Sequence, residues 1–470
     1  MTHKTRKIIL LLFLVAFSLT APIVILYTAG YRYSWKKTKF EKTGMIHLES
    51  IPGAAQVFIN GKLQQRTTPD SFPRLLPDEY DVRIEKRGYL PWEKMLEVRS
   101  SETTFAQEIR LFSDTMPRLL TEADVEQAAV FGKNGTVTML VKSHDWQELI
   151  LVRDGKALPT PLARFSGETL TDAALSWSPD GKYVLLQSPP EEPVRVFLYP
   201  VTSANGEPFA IHEALAKITK SDEKVRLRIR WNSDGSMLSA LTEDGAFIIH
   251  PDDQTIDQVP ASMRAQDVAT GEGAVYLLRP ARSEQAVASG SVDADAVDLT
   301  RIPFADARSS EIVASLPKGD YRFVDITARY LIVSDRGSGK LLLISPKNGA
   351  VLAKLVGESV RWEKAPGKGR LLVWNGFELS IFNPASGTAE LVTRVGSTIT
   401  DCRWHPAGTS VIFSTATGIF ASELDDRGTR NTYELIRFPS VKAFDVDADG
   451  TYFYFVGAAG NQKGLYERML

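Results

Sequence analysis

The sequence predicts a mainly β protein with an N-terminal transmembrane helix, a small β-sandwich and a β-propeller. The residues from Ile8 to Tyr31 carry no charge, and those from Gly44 to Phe112 alternate apolar and polar positions between turn signals. Beyond them, one turn frame recurs about every 45 residues, the length of a four-stranded propeller blade. We expect seven or eight blades, with eight favoured. The predicted segments are a basic tail at 1–7, a transmembrane helix at 8–30, a juxtamembrane linker at 31–43, the sandwich at 44–112 and the propeller at 113–470.

The apolar run is long enough to cross a bilayer. At about 1.5 Å per residue, the segment between Lys7 and Arg32 outspans a hydrocarbon core of about 30 Å. A cleaved signal peptide would have a shorter apolar region and a small-x-small site, and the core helix of a soluble domain would be amphipathic. The sequence therefore favours an uncleaved anchor in the lipid bilayer, with aromatic residues at its far interface: Tyr27, Tyr31, Tyr33 and Trp35.

Composition excludes one class of partner and one kind of cross-link. The net charge is −2 and no basic stripe is present, so a nucleic-acid partner is excluded. Cys402 is the single cysteine, which excludes an intramolecular disulfide. It lies two residues before Trp404 in an apolar run, and we expect a buried, inert thiol.

The sandwich segment carries a strong hairpin signal. Alternating residues around Ile46 and Val57 lead into Asn60-Gly61, a dipeptide that accepts the positive φ angles of a tight hairpin turn. Further alternating strands are centred on Val82, Leu96 and Ile109. This segment resembles the PEGA domain family in these motifs: Ile-x-Leu-x-Ser-x-Pro-Gly-Ala from Ile46 to Ala54, Val-Phe-Ile-Asn-Gly-Lys from Val57 to Lys62, Thr68-Pro69, Leu76-Pro77, Tyr80-x-Val82 and Gly88-Tyr89-x-Pro91.

Two positions depart from the family pattern. The namesake motif reads Pro52-Gly-Ala-Ala55 without its glutamate, and Asp78-Glu79 replaces a turn glycine. The resemblance implies a small extracytoplasmic β-sandwich beside membrane spans or repeat domains, with a binding or scaffolding role and no enzymatic activity. We expect Gly88-Tyr89 to be an aromatic packed on a tight turn rather than a ligand platform.

The resemblance also bears on sidedness. Three basic residues precede the apolar run and five follow it, a count that places the C-terminal bulk in the cytoplasm. Long domains nevertheless translocate largely regardless of charge, and the short basic head is typical of an export signal left uncleaved. Mainly because of the resemblance, we expect the C-terminal domains on the extracytoplasmic side of the cell membrane.

The propeller prediction depends on a repeated frame. Trp177-Ser-Pro-Asp-Gly181, Trp231-Asn-Ser-Asp-Gly235 and Trp404-His-Pro-Ala-Gly408 each end an apolar strand, turn at the glycine and return as a second strand. We call the first residue of each frame an anchor; weaker copies give anchors at Phe131, Val268, Ile326, Trp362 and Val446. The chain ends one strand short after the last anchor, so we expect Pro117–Thr121 to supply the missing outer strand and close the ring. These copies resemble TolB-like and WD-type propeller repeats, which implies a scaffold for macromolecular contacts.

Candidate catalytic and metal motifs are incomplete. Asp445-x-Asp447-x-Asp449-Gly450 begins like a calcium loop, but Val456 occupies the position of the bidentate glutamate, and the blade-turn frame explains the motif instead. Gly337-Ser-Gly-Lys340 lacks the remaining phosphate-loop residues, so we expect a hairpin turn. The six histidines never occur at metal-ligand spacing: His3, His47, His144, His212, His250 and His405.

Other polar segments predict solvated turns. The carboxylate pairs Glu191-Glu192, Asp252-Asp253 and Asp425-Asp426 lie in such segments, and Ala281–Asp298 is predicted as a polar, acidic insertion. No catalytic, cofactor-binding or metal-binding residue is predicted, no cofactor is expected, and the ligand-binding residues are unknown. We predict a non-enzymatic, membrane-anchored binding or scaffold protein of the cell envelope, with a protein or a cell-wall or envelope polymer as partner. The alternatives are a propeller-type polysaccharide-degrading enzyme and a structural component of a surface layer.

Overall fold

The computed structural model describes residues 3–132, 135–143, 145–153, 158–166, 170, 172–189, 194–201, 207–219, 227–260, 262–271, 273–281, 296–363 and 369–470. The chain forms two compact units. The first comprises Met1–Thr115 and Ser422–Tyr433, and the second comprises Met116–Ala421 and Glu434–Leu470.

The first unit begins with helix α1, His3–Thr28. Within its segment Thr5–Thr28, an 18-residue window has a mean hydropathy of 2.9 and none of that window is buried, so the helix is long and apolar enough to cross a membrane. Apolar side chains are exposed all around it; Leu10 is 68% exposed and Phe13 is 71% exposed. A core helix of a soluble domain would bury one face, so that alternative is excluded.

A two-stranded hairpin follows α1 inside the predicted linker. Strand β1 is Tyr31–Ser34 and strand β2 is Lys39–Lys42. The carbonyl of Gly30 accepts hydrogen bonds from both the backbone N–H and the hydroxyl of Thr43, each at 2.9 Å, so the hairpin is closed at its base.

The predicted sandwich is confirmed as two antiparallel-rich sheets with an apolar core. Asn60 and Gly61 have φ angles of 49° and 73°, as the predicted hairpin turn requires. Tyr89 packs on the core beside the turn at Gly88, as expected. The strands are β3 Gly44–Ile51, β4 Gln56–Ile59, β5 Lys62–Thr67, β6 Asp70–Leu75, β7 Asp78–Glu85, β8 Trp92–Val98 and β9 Thr103–Arg110, in the orders β6-β3-β9 and β5-β4-β7-β8.

The segment Ser422–Tyr433 belongs to this unit, although the sequence assigned it to the propeller range. Lys94 on β8 has a side chain that is 1% exposed, and its Nζ lies 2.7 Å from Oε1 of Glu423. Trp92 Nε1 donates to the other oxygen of Glu423 at 2.8 Å, and Lys94 also donates to the Asp425 carbonyl at 2.7 Å. The segment therefore neutralises a buried lysine of the sandwich.

This contact corrects the expectation that Asp425-Asp426 is solvated. Asp426 is exposed, but Asp425 is half-buried and pairs with Arg427 and Lys94. Burial alone would raise the pKa of the Asp425 carboxyl, and the hydrogen bonds from Arg427 and the charge of Lys94 lower it. The sequence suggested a polar turn because the lysine that it neutralises lies far away in the chain.

The second unit contains eight four-stranded sheets in its described residues, each formed by consecutive strands except the last. In chain order, the elements are β10 Arg118–Glu122, β11 Val125–Phe131, β12 Thr136–Lys142, β13 Trp146–Val152, β14 Thr160–Ser166, β15 Ala174–Trp177, β16 Tyr183–Gln187, β17 Val196–Pro200, β18 Phe209–Ala210, α2 Ile211–Thr219, β19 Arg228–Trp231, β20 Leu238–Thr242, β21 Gly245–His250, β22 Thr255–Gln258, β23 Asp267–Gly271, β24 Ala274–Pro280, β25 Val297–Pro303, β26 Glu311–Leu316, β27 Tyr321–Ile326, β28 Leu331–Asp335, β29 Lys340–Ile344, β30 Val351–Val356, β31 Ser359–Trp362, β32 Leu371–Trp374, β33 Glu378–Asn383, β34 Thr388–Arg394, β35 Ile399–Trp404, β36 Ser410–Thr415, β37 Gly418–Glu423, β38 Thr432–Arg437, β39 Ser440–Val446, β40 Tyr452–Ala459 and β41 Gln462–Met469.

These sheets form a closed ring, which confirms the predicted propeller. Consecutive sheets pack on each other through strand contacts or shared core clusters, and β11 of the first sheet packs on β39 of the last. Strand β10 pairs antiparallel with β41, so the last sheet has the order β10-β41-β40-β39. The outer strand predicted near Pro117–Thr121 is thus confirmed.

The closing pair depends on a glycine. Gly464 on β41 pairs with Glu122 at a φ angle of 153°, and a Cβ added at Gly464 would lie 1.9 Å from the Thr121 carbonyl oxygen. No other residue type fits so close an approach of two backbones.

Candidate functional site

The anchor residues hold neighbouring sheets together. Nε1 of Trp177 donates to the Ala129 carbonyl on β11 at 2.9 Å, and Nε1 of Trp404 donates to the Arg361 carbonyl on β31 at 2.9 Å. The ring of Trp177 also stacks on that of Phe131, the anchor of the preceding sheet, at 5.3 Å. Anchor side chains therefore point from the innermost strand of one sheet toward the preceding sheet.

The residue before each anchor points the opposite way, because side chains alternate along a strand. In six sheets this residue is charged, and the six residues are Arg230, Asp267, Asp325, Arg361, Arg403 and Asp445. Each of the three arginines has an ion-pair partner on the next innermost strand.

The best-formed part of this arrangement lies beside a cavity of about 880 Å³. The innermost strands β11, β15, β31, β35 and β39 and the turns after them form its wall. Among the residues that line it are Phe131, Trp177, Arg361, Arg403, Trp404 and Asp445. We call this cavity the channel mouth.

Arg403 connects two carboxylates on neighbouring strands at the channel mouth. Its Nε donates to Oδ1 of Asp445 at 2.8 Å, and its Nη1 donates to Oδ1 of Asp401. The second oxygen of Asp445 accepts the backbone N–H of Gly132 at 3.0 Å. Both carboxylates thus have fixed partners, which positions them but leaves neither free to move protons without breaking an ion pair.

Arg361 is less well compensated. Its Nη2 lies 3.5 Å from the Asp401 oxygen that Arg403 already holds, and its buried Nε has no hydrogen-bond partner among the residues that the structure describes. The side chain lies deep in the ring, yet 38% of its surface remains in contact with solvent in the channel. It is the cation at the channel mouth that is best placed to meet a ligand.

The pKa values reflect these differences. Burial lowers the pKa of the Arg361 guanidinium, and the charge of Arg403 lowers it further. Burial acts in the same direction on Arg403, but the charges of Asp445 and Asp401 more than offset it and raise its pKa. Burial raises the pKa of the Asp325 carboxyl, which accepts the backbone N–H of Ile326 at 2.8 Å.

The structure also places the other residues that the sequence singled out. Cys402 is fully buried, and burial raises the pKa of its thiol well above the usual value, as expected of an inert thiol. Asp445 lies on β39 and Asp447 in the turn after it, where Gly450 has a φ angle of 68°, as the blade-turn frame predicts. Gly337 lies in the tight turn between β28 and β29, so the predicted hairpin is confirmed.

The remaining histidine, carboxylate and metal-site predictions concern residues away from the central ion pairs. His405 is buried and connects two blade turns, with its Nε2 3.1 Å from the Gly450 carbonyl oxygen. Asp252 and Asp253 are exposed, and Asp252 accepts the Tyr183 hydroxyl at 2.6 Å. Within the described ranges, no group of three or more His, Cys, Asp or Glu residues is placed to hold a metal ion. Glu191-Glu192, His144 and residues 282–295 of the predicted insertion lie outside the described residues.

Arg361, Asp401 and Arg403 were missed by sequence reasoning. A signal for two of them was present: once the anchors are aligned, the residue before the anchor is charged in six sheets. Asp401 does not precede an anchor, so only the structure shows its role.

The fold and the channel mouth together define a propeller with a polar, internally paired channel, attached to a small sandwich and an apolar helix. Residues 43–111 match the family model of the PEGA domain, so the sandwich is a PEGA domain, as the sequence motifs indicated. The chain therefore combines a PEGA domain with a C-terminal β-propeller. No curated protein sequence matches the chain.

Several solved structures are similar over most of the chain at low identity. The C-terminal WD40 domain of Sif2 is 12% identical with a TM-score of 0.49 and covers 76% of this chain and 99% of its own. Porphyromonas gingivalis dipeptidyl peptidase 4 is 14% identical with a TM-score of 0.46, and covers 75% of this chain and 58% of its own. The Cps50 (Swd1) β-propeller domain from Myceliophteria thermophila is 13% identical with a TM-score of 0.43, and covers 76% and 99%.

Proposed function

We propose that this protein is a single-pass membrane protein of the cell envelope whose PEGA domain and propeller lie on the extracytoplasmic side and bind a partner without catalysing a reaction. The partner would be a protein or an envelope polymer. The Trp-Ser-Pro-Asp-Gly-type frames support a TolB-like propeller for the second unit.

The observation that carries this proposal is the channel mouth. Arg403 holds the carboxylates of both Asp401 and Asp445, and the backbone N–H of Gly132 also donates to Asp445. Arg361 remains partly exposed. Such fixed charges on rigid strands are suited to recognising a partner by charge complementarity. General acid–base catalysis instead requires carboxylates with a proton to exchange.

Membrane attachment is supported by α1, whose apolar side chains find no protein partner in the described part of the chain. A signal peptide has the same composition. The continuous run to Tyr31 favours a helix that stays in the bilayer.

One observation favours a second function. Asp325 is a carboxyl on the innermost strand β27 whose pKa burial raises, as in the general acid of a polysaccharide-degrading enzyme. A hydrogen bond from the backbone N–H of Ile326 holds it near the end of β27, and a second, ionised carboxylate would have to complete the pair. If Asp325→Asn abolished hydrolysis of an envelope polysaccharide by this protein, its function would be enzymatic rather than binding alone.

Sidedness can be tested by cysteine labelling, because buried Cys402 gives no background under native conditions. We expect Leu158→Cys, at a site that is 89% exposed, to react with a membrane-impermeant maleimide on intact cells. A cysteine in place of Thr2 is the matched control and should react only after lysis. Labelling in the reverse order would place the propeller in the cytoplasm and end the proposal.

Partner recognition can be tested by site-specific photo-crosslinking in intact cells. We expect a photoreactive amino acid at Ala448, an exposed residue of the channel mouth, to give a discrete adduct. The same amino acid at Thr255, an exposed residue on the outermost strand β22, is the control and should not give that adduct. Identical adduct patterns at both positions would contradict recognition at the channel mouth.

A further inference from the structure

The hairpin β1–β2 has one aromatic face. Its register pairs Tyr33 with Phe40 and Tyr31 with Lys42, so these four side chains lie on the same side. The ring of Tyr33 contacts that of Phe40 at 5.3 Å and that of Trp35, in the turn, at 5.0 Å, both edge to face. We call this surface, formed by Tyr31, Tyr33, Trp35, Phe40 and Lys42, the aromatic face.

No part of the chain that the structure describes covers the aromatic face. Trp35 is 86% exposed, Phe40 is 51% exposed and Tyr33 is 38% exposed. On the opposite side of the hairpin, Ser34 is 4% exposed. The hairpin thus shows its apolar side chains outward and a small polar side chain inward, the reverse of a hairpin surrounded by water.

The turn of the hairpin is fixed to the sandwich. Nζ of Lys37 donates to the Pro77 carbonyl at 3.2 Å, and Nζ of Lys36 lies 3.0 Å from a carboxylate oxygen of Asp78. At the other end, Arg74 of the sandwich donates to the Tyr27 hydroxyl of α1 at 3.0 Å and lies over its ring. Helix, hairpin and sandwich are therefore connected at two separate points.

The chain length places the aromatic face next to the bilayer. Helix α1 ends at Thr28, and at about 3.5 Å per extended residue Tyr31 lies within about 10 Å of that end. The headgroup layer extends roughly 5–8 Å beyond the hydrocarbon core on each side. A helix that spans the core therefore delivers the hairpin to the depth where Trp and Tyr are enriched.

The charge of the hairpin selects a type of lipid. Five basic residues and one acidic residue lie between 31 and 42, which gives a net charge of +4: Arg32, Lys36, Lys37, Lys39 and Lys42 against Glu41. An anionic membrane surface attracts each of the basic residues that lies close to it. Lys42 is on the aromatic face itself, beside Tyr31.

We propose that the aromatic face lies in the headgroup layer of the membrane that α1 enters and binds anionic phospholipid there. The inference rests on the proposed membrane anchor and adds a second, lipid-specific attachment. Since the turn of the hairpin is bound to the sandwich, it also holds the PEGA domain close to the membrane surface.

The test uses the full chain, purified in detergent and reconstituted into vesicles. Trp35→Cys and Phe40→Cys are each labelled with an environment-sensitive fluorophore, and Leu63→Cys, 57% exposed on β5, is the matched control. The vesicles contain phosphatidylcholine alone or with phosphatidylglycerol, and a lipid with a quencher near its headgroup is added. We expect blue-shifted emission and severalfold stronger quenching at positions 35 and 40 than at 63. Phosphatidylglycerol should increase the difference and salt should reduce it.

Each outcome is decisive. Quenching at position 35 that equals quenching at 63, in a chain that resists carbonate extraction, would overturn the inference and leave the anchor intact. Loss of the chain on carbonate extraction would instead overturn the anchor. Blue-shifted emission without quenching would show that a second copy of the chain covers the aromatic face, which would overturn the inference. Quenching that does not change when phosphatidylglycerol is added would refute the preference for anionic lipid.

Discussion

We expect Glu423→Gln to destabilise the first unit by about 3–5 kcal/mol, because it leaves the lysine charge of Lys94 buried without its main counter-ion. The Lys94 side chain is 1% exposed, so water cannot replace the carboxylate. A glutamine also cannot accept from Trp92 and Lys94 with both of its terminal atoms, since one of them becomes a donor. Hydrogen exchange of the β8 amides in the full chain should accelerate roughly a hundredfold or more.

Two further variants make this prediction specific. Glu434→Gln removes a carboxylate from a surface pair with Arg437, whose side chain is 79% exposed, and should change stability by less than about 1 kcal/mol. The double variant Lys94→Met with Glu423→Gln removes both buried charges and should recover most of the loss, because a buried pair contributes little net stability. If Glu423→Gln exchanged like the unsubstituted chain, the contact between Lys94 and Glu423 would be absent in solution.

The same contact shows what local sequence reasoning cannot find. The turn around Asp425 has the composition of a solvated loop, and nothing within it signals a buried partner. Alternation along β8 places Lys94 on the same face as Trp92 and Leu96, and the structure buries it there, but the pattern does not indicate which carboxylate neutralises it. The two halves of this network are separated by 331 positions, so only the tertiary fold relates them.

The framework of the propeller was predictable for the opposite reason. An anchor, its turn and the returning strand are neighbours in the chain, so the frame around Trp177 or Trp404 is visible in a single sequence. The closing strand followed from a count of the strands left after Val446. The short helix α2 was missed, because Ile211 and Leu215 provide only one turn of buried spacing.

The channel mouth falls between these cases. Arg403 and Asp445 each precede an anchor, so the sequence alone shows that charged residues recur at this position of the repeat. It does not show that these two residues pair with each other. Pairing requires that side chains of one innermost strand face the next strand, which follows from the direction of the Trp404 side chain toward Arg361. Once that direction is known, the charged residues at this position indicate a set of contacts between sheets.

Arg403→Met should therefore strongly destabilise the second unit. It removes the guanidinium that holds Asp401 and Asp445, and leaves two carboxylates inside the ring with weaker partners. Loss of one partner of a buried ion pair costs about 3–5 kcal/mol. We expect a loss of that size in urea unfolding of the full chain, whereas Arg437→Met on the surface should stay within about 0.5 kcal/mol.

The loss can be separated from lost packing on the Phe444 ring by removing a carboxylate as well. If the loss comes from carboxylates left without the guanidinium, Arg403→Met combined with Asp445→Asn should recover part of it, because one buried charge fewer then lacks its partner. An equal loss in urea unfolding of the double variant would show that Arg403 acts through its hydrocarbon stem, and the ion pairs between the innermost strands would then not be what aligns β31, β35 and β39.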